Sequence, residues 1–515
     1  MNLRLLAFAL LMAAVAACSD DDKPPAWQDG PPSTDGGDGG DLPRFDQGVD
    51  LDPKCPMPGP CILTKLGEGK HSYLVIGELL TFTGKELESV TTVYIGASEA
   101  PILSVSAAKI VCRIGRRTPP GQHTVEIKAA DKRRMAGVVD VRRLVVTAAE
   151  DDTNLTTFEA ATHSAGPVLD LGFSPVGRPT VSHTGRYVVA AGAGKLALAD
   201  LALEQVASVS GLTEDAASWA VDHDDRTLAV ATKSGKLLSV DLSTFPTLAA
   251  KSVSAAPGTA VVTLAAPDLF VGLNPDAASG QGSLWYAKTD LKTVTWVQAS
   301  GQPFLVGAGK GLKGQDVDGR DGWVGMLALE GSNMRLALAK VDSGTLKDPT
   351  APAVAGGLGL ALTAGGKYVA LSTDDTKPAL PYFETAVPTA AKSVDLGQGG
   401  ASRLLARQMP TFDHLVLALV GPLPGAAQFK APALELVDLA SAKRLTLAGS
   451  KPALELADML DAAADPAADA VHLITPTHYH SFMISISGTT LTVTEKHPNQ
   501  QLPAGKKNSW IGIQP

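Results

Sequence analysis

A phrase recurs through the last two thirds of this chain. It runs turn residues, an apolar β-branched stretch, a polar turn, then a second apolar stretch ending in Asp-Leu. His183 to Leu201 reads HTGRYVVAAGAGKLALADL, and His223 to Leu242 reads HDDRTLAVATKSGKLLSVDL. Units of this kind recur about every 40 residues, the period of one four-stranded blade of a β-propeller. The second strands of the units are read at Tyr187–Ala191, Leu228–Thr232, Leu269–Leu273, Trp323–Leu329, Tyr368–Ser372, Leu415–Val420 and Val471–Thr475. That gives seven blades over residues 155–515. Blade five is the weakest unit, because Pro378 and Pro381 interrupt its third strand: proline cannot donate to a ladder. A propeller must also close its ring, since an open blade leaves a strand edge exposed. Pro167–Phe173, pairing at the outside of the last blade, is the favoured closing segment, with Trp510–Ile513 as the rival.

Composition agrees with an all-β chain. Charged residues make up 19% and aromatics 5% of the 515 residues, with 51 Gly and 35 Pro. Such a mixture suits short strands joined by turns. The net charge of −9 argues against nucleic acid as a partner.

Residues 1–17 read as an export signal. Arg4 supplies a positive start, and Leu5 to Ala17 is an apolar run too short to span a bilayer. Val15-Ala16-Ala17-Cys18 resembles the lipobox of bacterial lipoproteins. That resemblance implies acylation at Cys18 (palmitate or a similar chain), a permanent membrane anchor and, with Ser19 following, a place at the outer membrane on its periplasmic or cell-surface face. Residues 18–60 form a tether. From Ser19 to Lys54 it holds ten acids and three bases and few apolar residues, too few to offset the entropy of ordering.

Cys55 and Cys61 bracket Pro-Met-Pro-Gly-Pro, and an exported chain can form disulfides. Ile110, Cys112 and Ile114 alternate onto one face of a strand, which makes Cys112 a small buried hydrophobe. Cys55–Cys61 is the expected disulfide and Cys61–Cys112 the rival.

Residues 61–147 alternate strand-length apolar runs with Gly, Pro and Ser turns. Leu80-Thr81-Phe82-Thr83-Gly84, Val93-Tyr94-Ile95-Gly96, Ile110-Val111-Cys112 and Pro120-Gly121-Gln122-His123-Thr124-Val125 resemble the IPT/TIG family of immunoglobulin-like domains. The resemblance implies a β-sandwich that serves as a spacer or binding module. Likewise Phe173-Ser174-Pro175-Val176-Gly177-Arg178, Thr184-Gly185-Arg186-Tyr187 and Gly365-Gly366-Lys367-Tyr368 resemble the turns of YVTN, lactonase-like and TolB-like propellers, without the WD signature of WD40 repeats. The sandwich carries thirteen Lys and Arg against eight Asp and Glu. Arg113, Arg116, Arg117, Lys132, Arg133, Arg134, Arg142 and Arg143 supply most of that excess. They form either a solvated face, the favoured reading, or a patch for anionic lipid or polysaccharide.

No catalytic motif stands out. Asp316, Asp318 and Asp321 alternate as in a calcium loop, but Arg320 occupies a ligand position and Leu327 stands where a bidentate Glu is needed. They are expected in a loop after a first strand at Pro303–Ala308. His478 and His480 could point one way from an extended segment, but a zinc site needs three or four ligands. Neither metal site is favoured, and no cofactor is implied. The two groups are expected on opposite faces of the disc. Second-to-third-strand loops are long in blades three, five, six and seven. The candidate binding rim is therefore Asn274, Asp276, Thr373, Asp374, Gln428, Lys430, His478, Tyr479 and His480. The expectation is an all-β, membrane-anchored lipoprotein: an Ig-like β-sandwich followed by a seven-bladed β-propeller. Its non-enzymatic rim would take an unknown protein or polysaccharide. The alternative is a propeller hydrolase or lactonase-like enzyme with a metal in its channel.

Overall fold

A computed structural model describes residues 60–514, apart from residue 131 and a set of connecting stretches, chief among them 275–283, 297–311, 373–378, 405–413 and 421–432. Cys18 and Cys55 lie outside the described residues. Among the described ones there are strands and three short 3-10 turns.

Residues 61–142 form a sandwich of two sheets. One holds Cys61–Gly67, Leu79–Lys85, Lys109–Arg113 and Ile102–Val105. The other holds Leu74–Val75, Lys132–Arg142, Gly121–Ala129, Val90–Ile95 and Ser98–Ala100. The alternation read from sequence sends Leu80, Phe82, Ile110, Cys112, Val125 and Ile127 into one core. Cys61 is disulfide-bonded, and Cys112 is a free, buried thiol, so Cys112 is not its partner and the rival Cys61–Cys112 pairing is ruled out. Burial pushes the Cys112 thiol up to about 12, which keeps it protonated.

All seven repeat units are sheets of four strands or more. Blade one is Thr180–Val181, Tyr187–Gly192, Lys195–Asp200 and Gln205–Ser210, and blade two is Ala216–Val221, Thr227–Thr232, Leu237–Asp241 and Leu248–Ser252. In both, the first strand is innermost. Tyr187–Gly192 is buried throughout because both of its faces are covered. Tyr187, Val189 and Ala191 pack toward blade two, while Val188 and Ala190 pack the other way. This is why the strands read as continuous apolar runs.

The turns explain the recurring phrase. Ser182, Asp222 and Thr363 stand at the same point of three units. The Ser182 and Thr363 hydroxyls accept from the amide five residues on, and the Asp222 carboxylate accepts from Arg226 and Thr227. The Asp of Asp-Leu caps the next turn. Asp200 accepts from Ala202 and Leu203, Asp241 from Ser243, and Asp438 from Ala440 and Ser441. Leu201, Leu242 and Leu439 then fill the core. In blade five Pro381 pairs only with Ser393, on the outer side, since the inner ladder ends at Tyr382. Pro381 therefore does not interrupt the strand, and Pro378 lies outside the described residues.

An eighth sheet accompanies the seven units. Ser509–Ile513 is its innermost strand, followed outward by Leu144–Ala149, Asn154–Glu159 and Ala165–Asp170. Ser509–Ile513 pairs antiparallel with Leu144–Ala149 and also meets the inner strands of blades seven and one. The ring is thus closed from inside by the rival segment. Residues 167–170 do not cover blade seven but lie in the outer strand of this closing sheet. The ring accordingly begins at Leu144, directly after Arg142 and Arg143, and not at residue 155. Blades six and seven join where Thr446–Leu447 runs parallel to Thr490–Leu491.

Candidate functional site

The sandwich sits on one face of the ring, and the contacts say which. Its Lys70 amide donates to the Ala202 carbonyl, and Arg113 donates to the Asp224 carbonyl at 3.1 Å. Glu68 pairs with Arg186 at 2.8 Å, and His71 with Glu204 at 3.0 Å. Ala202 and Glu204 lie in a third-to-fourth-strand turn; Arg186 and Asp224 lie in first-to-second-strand turns. The face bearing second-to-third-strand turns is the opposite one. The sandwich leaves uncovered the face proposed as a rim.

Two residues lock the seam. Gln514 is fully buried. Its side-chain amide donates to the Ile76 carbonyl of the sandwich and the Gly185 carbonyl of blade one, while its Oε1 accepts from the Leu144 amide at 2.7 Å. Arg143, also fully buried, pairs with Asp465 of blade seven at 3.2 Å and donates to the Arg116 and Thr118 carbonyls. Burial pulls the Arg143 guanidinium down from its ordinary value while Asp465 pulls it back up. Behind Asp465, His472 Nδ1 lies 2.6 Å from the Tyr479 hydroxyl. Gly77 has φ +85, and a Cβ there would come within 2.6 Å of the Arg186 amide nitrogen, so only glycine lets the two backbones meet. Val75 completes the joint by entering the core shared by the closing sheet and blade one.

The seam also absorbs half of the basic residues read as a face. Arg113 and Arg143 are bonded as described, and Arg116 Nη1 lies 3.4 Å from His183 Nδ1. Arg142 pairs with Asp140 and Glu159 and stacks on Tyr73. The eight residues are thus not one patch.

The metal candidates fall differently from expectation. Asp316 and Asp318 lie within the first strand of blade four, Leu312–Arg320, and not in a loop beyond a strand at Pro303–Ala308. Asp321 lies outside the described residues. His478, Tyr479 and His480 open the third strand of blade seven, His478–Ser487, after a turn closed by Thr475. Tyr479 and His480 are buried and leave the rim; His478 is half-buried. In chain order, blades five and six lie between the Asp and His groups. Among the described residues no cluster of three or more His, Cys, Asp or Glu could hold a metal ion. Asn274 is buried at the foot of its loop. Asp276, Thr373, Asp374, Gln428 and Lys430 lie outside the described residues.

Residues 70–138 match the family model of the IPT/TIG domain. They are an IPT/TIG domain. No curated protein sequence matches the chain. Among solved structures, the dihydro-heme d1 dehydrogenase NirN in complex with DHE aligns at a TM-score of 0.51 and 14% identity, over 70% of this chain and 73% of its own. Apo AztD from Citrobacter koseri aligns at 0.47 and 10%, over 72% and 98%. At these identities the NirN likeness shows the fold, a β-propeller, and nothing of its chemistry.

Proposed function

We propose that this chain is an exported, lipid-anchored binding or assembly module that works through the propeller face opposite the IPT/TIG domain. The observation that carries the reading is the seam. The domain is locked onto one face by buried Gln514 and Arg143, so the other face, with its longest loops, is the one presented. Rigid scaffolds with variable loops are where recognition concentrates. Cys18 is the proposed anchor and Cys55 the proposed disulfide partner of Cys61. The lipoprotein resemblance of the leader supports both export and the outer membrane as location. The partner is proposed to be a protein or a polysaccharide.

Photo-crosslinking residues placed at Thr477 and Lys233, exposed in second-to-third-strand turns, should trap a partner in cells. The same probe at Val387, on the sandwich-bearing face, should not. Equal trapping at all three positions, or trapping only at Val387, sinks the assignment of the face.

A further inference from the structure

The IPT/TIG sandwich is two-ended. Its propeller end uses Arg113, Arg116, Arg142 and Arg143 in the seam. The register places a second basic set at the other end. Lys85 ends its strand opposite Cys61, and Lys109 starts the next strand opposite Thr83. Ala129 pairs with Lys132, and Lys128 with Arg133, at the tip of the long hairpin. The amides of Gly84 and Leu87 donate to the Ala108 and Ala107 carbonyls, which ties the ends of the first sheet together. Arg134 donates to the Pro60 carbonyl at 3.0 Å, bringing that hairpin to the point where the chain enters the domain.

Six bases thus share one tip: Lys85, Lys109, Lys128, Lys132, Arg133 and Arg134. Glu86 and Glu88 stand there too, Glu126 pairs with Arg133, and Asp131 lies in the hairpin by sequence. The balance is positive. Apolar side chains are exposed beside the bases, Val105 at 45% and Met135 at 66%.

We propose that this tip docks on anionic lipid headgroups. The inference rests on the membrane-anchored reading. Phosphate-bearing headgroups complement the lysines, and apolar side chains among bases suit the boundary between headgroups and acyl chains. The chain enters the domain at this end, so an upstream anchor would hold the tip near the bilayer and a weak contact would suffice. Docking there turns the opposite propeller face away from the membrane.

The test uses the mature chain with Cys18→Ser, free of acyl groups. It should sediment with phosphatidylcholine vesicles containing about one third phosphatidylglycerol and not with phosphatidylcholine alone, and salt should weaken the binding within the range where surface charge is screened. Each lysine near the surface is worth about fivefold in partitioning. The combined Lys85→Glu, Lys109→Glu and Lys132→Glu variant should therefore lose on the order of a hundredfold or more. If that variant melts early, the single Lys109→Glu and Lys132→Glu variants carry the test, each losing at least about fivefold. Equal binding to both vesicles, or binding unchanged by the substitutions, overturns the proposal. So does capture by soluble dextran sulfate through the same lysines without vesicle binding, which would point to a polysaccharide. The assay is blind to acylation. The anchored reading fails separately, if the native chain carries no acyl group at Cys18.

Discussion

Asp225 illustrates how much one residue can carry. It stands in the turn that Gly185 occupies in the preceding blade, with φ +58 where Gly185 has +89, and its carboxylate accepts from the Thr184 hydroxyl across the blade interface. Burial pushes its carboxyl up to about 6 from an ordinary 3.8. Between those values the folded chain keeps a proton that the unfolded chain has released. Stability therefore falls as pH rises through that window, by up to about 1.4 kcal/mol per pH unit for one proton. Asp225→Asn keeps the acceptor and tolerates the left-handed backbone, so it should remove this slope. Urea midpoints at about pH 4.5 and pH 6 should differ less in the variant than in the wild type, and parallel curves would refute the assignment. Glu78 and Glu435, each pushed up to about 7 mainly by burial, act with the same sign and leave a residual slope. At this scale the sequence is unevenly legible. The Asp of Asp-Leu announces its turn because its bonds are local. Gln514 announces nothing, because its partners are 329 to 438 residues away.

At the scale of elements, the closing strand decides the architecture. The seven units were legible because each holds its hairpin within one stretch of sequence. The eighth sheet is split between residues 144–170 and 509–513, so neither part reads as a copy of the phrase. The Asp316 and His478 groups were misplaced for a related reason: polar residues at alternating positions look like loops unless the ladder that holds them is known. Arg178 clasps the closure, with Nη2 donating to the Ile511 carbonyl at 2.7 Å and Nε lying 3.5 Å from Asp461. Deleting residues 509–515 should leave Leu144–Ala149, buried along its whole length, with an open edge. The expected outcome is a chain that binds a hydrophobic dye and aggregates. A synthetic peptide of residues 509–515 added during refolding should rescue it, as strand addition does elsewhere. A truncated chain that stays monomeric with an unchanged melting temperature would show that the strand is dispensable.

At the scale of the molecule, a seam that is buried and polar at once should make sandwich and ring unfold as one body. Gly77→Val tests this without touching either core. The side chain must strain the backbone, at about 1–3 kcal/mol, and displace the Arg186 backbone. Calorimetry should show one transition for the wild type and two for the variant; one unshifted transition in both would mean that the seam contributes nothing to cooperativity. The closing strand also sets a schedule. At roughly 5–20 residues per second of synthesis, Leu144–Ala149 waits on the order of 20 to 70 seconds before its partner exists. During that interval the ring is a row of blades with an apolar edge at its head, and neither Gln514 nor the Asp465 partner of Arg143 has been made for most of it. A chain built this way reaches its finished form only after its last strand is delivered. Any chaperone that meets the growing chain must hold it unfinished until then, and premature release exposes the same strand to its neighbours.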